Sequence, residues 1–128
     1  MTPSEWAQIE YFTPIECGTE MKYEFMRRAD MLRCDIGFPM FVLDGYATSG
    51  HADDSYHYKG EAIDFWSPAD PRRVWREINR FGFGGAGTYY WGYHKPFYHV
   101  DDRPSHLYQR WVCMERKRYI YLIRTDLS

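Results

Sequence analysis

Apolar residues recur along this chain in two rhythms. Met21, Phe25, Met26, Ala29 and Leu32 share one face of a 3.6-residue period. They predict a helix from a cap at Thr19 to about residue 34, stopped by Gly37 and Pro39. Val74, Trp75, Ile78 and Phe81 predict a second helix, with Asp70 as cap and Pro71 in its first turn. Short apolar or alternating runs predict strands over 40–43, 61–66, 88–93, 97–101 and 119–123. In the 61–66 run, Ala62, Asp64 and Trp66 fall on one face, with Ile63 and Phe65 on the other.

The polar stretch 47–59, rich in Ser, His and Asp, reads as a surface loop after the Asp44-Gly45 turn signal. Gly82, Gly84, Gly85 and Gly87 read as a flexible turn into the 88–93 strand. Strands grouped apart from helices imply one α+β domain: a small antiparallel sheet with flanking helices. A chain of 128 residues has room for one modest core and no second.

Composition narrows the function classes. A net charge of −2 and a pI near 6.2 give no general attraction to nucleic acid or an anionic membrane. No apolar run reaches membrane-spanning length. The opening residues, Met1 to Trp6, lack a basic start and an apolar stretch, so no signal peptide is expected. Synthesis in the cytoplasm follows, and a target in the cell wall would need phage- or prophage-type release. A monomer is the expected state. Cys17, Cys34 and Cys113 are an odd number without a CxxC pair, which leaves reduced thiols as the default and one bridge plus a free thiol as the alternative. Aromatic content of 20% is high enough to line a groove as well as a core.

The chemistry lies in Ser55-Tyr56-His57-Tyr58-Lys59-Gly60-Glu61-Ala62-Ile63-Asp64 and, later, Phe97-Tyr98-His99-Val100-Asp101. His57, Asp64 and His99 can supply three ligands to one divalent ion and leave a fourth position open, as catalytic zinc sites do. Imidazole with carboxylate suits Zn2+ better than magnesium or calcium, which favour all-oxygen shells. Small Gly60 and Ala62 let the backbone turn close to the ion. His51 and His106 read as packed or surface side chains. Ser55 reads as a hydrogen-bonding residue of the loop that presents His57.

The pattern SxHxxGxAxD followed by HxD resembles the zinc D-Ala-D-Ala carboxypeptidase family. That family includes vancomycin-resistance D,D-dipeptidases and phage L-alanyl-D-glutamate endolysins, and shares its fold with the hedgehog signalling domain. Residues 11–18, 84–91, 97–101 and Arg110-Trp111 are similar to blocks of its bacterial and phage subgroup. The resemblance implies a hedgehog/D,D-peptidase-like sheet that holds zinc through His57, Asp64 and His99. It implies hydrolysis of peptidoglycan stem peptides by a metal-activated water.

Two positions depart from the pattern. Pro96 stands where many relatives carry a general-base Glu, and Ala47 ends an Asp-Gly-Tyr-Ala where they have Ser-Gly-Tyr-Arg. Asp101, two residues beyond His99, is therefore expected as the base or as the carboxylate that orients a ligand histidine. His94 is expected to stabilise the developing oxyanion. Ser55, Tyr90 and Trp91 are the expected substrate-binding residues, drawn partly from a groove wall of Tyr89, Tyr90, Trp91 and Tyr93 in which at least half serve packing. The alternative is a non-catalytic zinc-containing module that binds cell wall or protein. A structural zinc domain, closed by Cys113 or His94, ranks last.

Overall fold

A computed structural model describes residues 1–122. Two short helices, α1 (Pro3–Trp6) and α2 (Pro14–Cys17), precede the long α3 (Tyr23–Ile36), strand β1 (Phe41–Asp44) and a 3₁₀ turn at Tyr56–Lys59. Then come β2 (Ala62–Trp66), α4 (Pro71–Arg80), β3 (Gly85–Tyr89), β4 (Phe97–Asp101), a second 3₁₀ turn (Ser105–Leu107), β5 (Gln109–Glu115) and β6 (Arg118–Tyr121). Both α1 and α2 begin with Thr-Pro and carry Glu at the third helical position. Each closes a reciprocal capping box through Thr2 with Glu5 or Thr13 with Glu16. Their four-residue length hides them from any periodicity argument.

Thr19 does not cap α3; Lys22 does, without a side-chain bond, and the helix runs on to Ile36 before Gly37 stops it in a left-handed conformation. The second helix begins as expected, Asp70 accepting from the Arg72 amide. The final expected strand is found at Arg118–Tyr121, and its expected last residue, Ile123, lies outside the described residues.

The sheet has the order β1-β2-β4-β3-β5-β6 and is mixed. Every neighbouring pair is antiparallel except β3 and β5, which run parallel. This corrects the expectation of a purely antiparallel sheet. The edge of β4 away from β3 is already taken by β2, so the chain leaving β4 returns to the far side of β3 and must run parallel to it.

The sheet separates two environments. Ile63, Phe65, Ala86, Tyr98 and Val100 face α3 and α4, whose Phe25, Met26, Leu32, Val74 and Ile78 complete the buried core. Alternation then forces Ala62, Asp64, Trp66, His99 and Asp101 onto the opposite face, away from the core formed with α3 and α4.

Gly82 and Gly84 lie in the expected turn and bend, but Gly85 and Gly87 belong to the strand itself, which runs over Gly85–Tyr89 and not the expected 88–93. A Cβ on Gly85 would overlap the Asp101 carboxylate and the Arg103 guanidinium, and one on Gly87 would overlap the Trp111 indole. Close approach of side chains from neighbouring strands demands these glycines, despite their low strand propensity. Among the described residues, no helix is long and apolar enough to cross a membrane.

Candidate metal centre

One row of cross-strand partners builds the site. Asp44 of β1 lies beside Asp64 of β2, Asp64 beside His99 of β4, His99 beside Gly87 of β3, and Gly87 beside Trp111 of β5. His57 joins from outside the sheet. Its 3₁₀ turn is capped by the Ser55 hydroxyl, which accepts from the His57 amide at 3.2 Å, and ended by Gly60 at φ 70°. A side chain at Gly60 would meet the Glu20 carbonyl, so the glycine admits the N-terminal segment and not the ion, as its smallness had suggested.

Atoms of His57, Asp64 and His99 that can ligate all lie within 4.8 Å of one another. His57 Nε2 is 3.3 Å and His99 Nδ1 2.9 Å from the same Asp64 oxygen, Oδ1. The rear nitrogens are committed. His57 Nδ1 donates to the Gly45 carbonyl at 2.8 Å, and His99 Nε2 is 2.7 Å from Asp101 Oδ2. In the neutral rings these bonds fix the tautomers and turn both remaining lone pairs toward Asp64. That donor set could hold a divalent metal ion through three protein ligands. Exposures of 2% for His57, 8% for His99 and 0% for Asp101 show how little of this arrangement is left to solvent.

The charges are mutually stabilised. Burial alone would raise the Asp64 carboxyl, yet hydrogen bonds and charge from His57 and His99 hold it well below the usual carboxylate range. Asp101 is likewise buried and held low by His99 and Arg103. Burial opposes the imidazolium of His99, but bonds to Asp101 and Asp64 outweigh it and raise its pKa to about 9.

A second group, Asp44, His51 and His57, also brings its ligand atoms within 4.8 Å. The His51 and His57 rings stack at 4.1 Å between centroids and 15° between planes. Imidazole lone pairs lie in the ring plane, so two nearly parallel stacked rings cannot aim at one ion. We read this group as a His51–Asp44 pair, 2.5 Å apart, leaning on a ligand ring.

The expected residues are distributed unevenly. Asp101 is on the same face as His99, and its oxygens are enclosed by His99 and by the Arg103 side chain and amide. Asp102 turns away to pair with Arg28 of α3. Ser55 and Trp91 line an open cavity of about 1090 Å³ that includes Asp64, His99 and Asp101. His94 and Tyr90 are not among its lining residues. The His94 ring packs against Trp66 and Tyr93 at the surface, and Tyr90 is a half-exposed residue beyond the end of β3. Tyr93 is almost wholly exposed, whereas Tyr89 accepts from Trp111 Nε1 and stacks on Phe97. Cys113 is buried against Trp91 and the Glu115 carbonyl, so neither it nor His94 joins the ligand group. All three cysteines are free.

Arg103 lines the cavity without having been singled out from the sequence; His51, read there as a packed or surface side chain, and Trp111, named only within a block of the resemblance, line it too. For Arg103 a signal existed: it stands four residues after His99 and two after Asp101, on the parity of the metal face. His51 carries none, because a 47–59 loop has no period. No family model matches the chain, and no curated protein matches it closely enough to count as a relative.

Proposed function

We propose that this chain is a zinc-dependent peptide hydrolase acting on stem peptides of bacterial peptidoglycan, with a hedgehog/D,D-peptidase-like fold. The observation that carries the reading is the convergence of His57 Nε2, Asp64 Oδ1 and His99 Nδ1 beside a large open cavity, with both rear nitrogens already bonded. Zinc in an open three-ligand site supplies Lewis acidity, lowering the pKa of water to about 7 and polarising a carbonyl.

The protein's own groups do the rest. The Gly45 carbonyl and Asp101 keep each histidine in its ligating tautomer. Ser55 shapes the turn that presents His57. Asp64 supplies one negative charge, offsetting half that of a dication. Trp91 and Trp111 provide an apolar wall on which a peptide can lie.

The enclosure of Asp101 favours a second reading, a zinc-containing module that binds such peptides without cutting them, because that carboxylate has no oxygen left free to take a proton. Incubation of zinc-loaded protein with D-Ala-D-Ala and L-Ala-D-Glu peptides decides between them. Product release supports the hydrolase; binding without release, where an active hydrolase of this class works, supports the module.

A further inference from the structure

The charges that reach the cavity differ in sign from those at its floor. Asp101 is paired with Arg103 and Asp64 is in contact with His99, while Lys59, Arg103 and Lys117 line the wall, opposed by Asp54. Arg103 is the most fixed of these cations. Its Nε and Nη2 clasp Asp101 at 2.7–3.2 Å, and its amide donates to the same carboxylate at 3.0 Å. The guanidinium carbon lies 5.5 Å from the Tyr56 ring centre and 5.1 Å from that of Trp111. Gly84 and Gly85 leave the space that this clasp occupies. Nη1 makes no hydrogen bond among the described residues.

A guanidinium offers two donor edges in a rigid fork. Here one edge is bound, two aromatic rings lie within 6 Å of the guanidinium carbon, and the residue lines the cavity. Asp101 Oδ2 touches both Arg103 Nη2 and His99 Nε2, so this cation stands one carboxylate away from a metal-ligand ring.

We propose that Arg103 is the receptor for a carboxylate of the ligand. The inference rests on the peptide-hydrolase reading for the ligand's identity, and it narrows that ligand to a peptide with a free carboxylate close to the bond at the metal. The bond is charge-assisted and formed by a group already ordered, so little side-chain entropy is lost on binding.

The test is calorimetric titration of the chelator-treated full chain with N-acetyl-D-alanyl-D-alanine and with its C-terminal amide. Absence of metal prevents both cleavage and direct coordination of the carboxylate. The free acid is expected to bind about tenfold more tightly than the amide, the effect of one charge-assisted hydrogen bond. Arg103→Lys, whose ammonium can stay on Asp101 but offers no second edge, should lose that preference, and Lys59→Gln should keep it. Equal binding of acid and amide, binding of neither, or a preference that survives Arg103→Lys overturns the proposal. Hydrolysis is scored separately on zinc-loaded protein. Acid preference without hydrolysis sinks the peptidase reading alone, and hydrolysis without acid preference sinks this one alone.

Discussion

Asp64 and His99 are direct partners across β2 and β4, and His99 Nδ1 approaches Asp64 Oδ1 to 2.9 Å. Thirty-five residues separate them in the chain; one strand spacing separates them in the sheet. Because side chains alternate, a slip of one residue in this pairing would send His99 to the helical face. Asp64→Ala should therefore abolish tight zinc binding while leaving the fold cooperative, since the residue lies outside the apolar core. Competition with a chromophoric chelator and a thermal melt would check the two halves of this expectation.

Asp101→Asn separates orientation from proton transfer. If the carboxylate orients His99, zinc affinity should fall about 10–100-fold, the usual loss on removing a partner behind a metal-ligating histidine. A base acting on substrate would leave affinity intact and remove hydrolysis. Chelator competition at fixed pH distinguishes these results.

The metal-free protein should have a stability plateau bounded on both sides. His99 is raised from an ordinary value of 6.5 to about 9, so its contribution is complete below 6.5 and disappears as pH climbs through 9. Asp64 and Asp101 are lowered, so theirs is present above the ordinary carboxylate range and disappears as pH falls below it. Zinc must displace the His99 proton, so apparent affinity should increase with pH up to about 9. Denaturant midpoints across pH, with and without zinc, test this; a flat profile from pH 6 to 10 in the metal-free protein contradicts it.

Zinc should bind with a stoichiometry of one. The stacked His51 and His57 rings exclude a shared second ion, so His51→Ala should leave one equivalent bound, and a wild-type chain that takes two would refute the assignment. Metal analysis after gel filtration reads this directly.

The two faces of the sheet should respond to substitution independently. Phe25→Ala, deep in the helical layer, should cost about 3–5 kcal/mol and leave zinc affinity unchanged in the folded population. Gly87→Ala crowds Trp111 and should cost about 1–3 kcal/mol, as overpacking does, while also perturbing His99 beside it. Urea melts paired with zinc titrations compare the two variants.

Local rules accounted for much of this protein. Asp70-Pro71 announced α4, alternation put Asp64 and Trp66 on one face, and the span Phe97–Asp101 was found as expected. His57, Asp64 and His99 were legible as a candidate group because their types and spacing suit a metal ion, and the fold brings their ligating atoms together. What the sequence could not disclose depends on neighbours distant along the chain. Four glycines read as a turn because nothing local reveals that Trp111, Asp101 and Arg103 will occupy the space two of them leave in β3. The parallel placement of β5, the enclosure of Asp101 by Arg103 and the stacking of His51 on His57 follow from which strand edges and ring faces remain free after the chain has folded. Residue type and period determined the candidate ligands and the faces; tertiary packing alone decided which lone pairs stay open, because only it assigns a partner to every other atom.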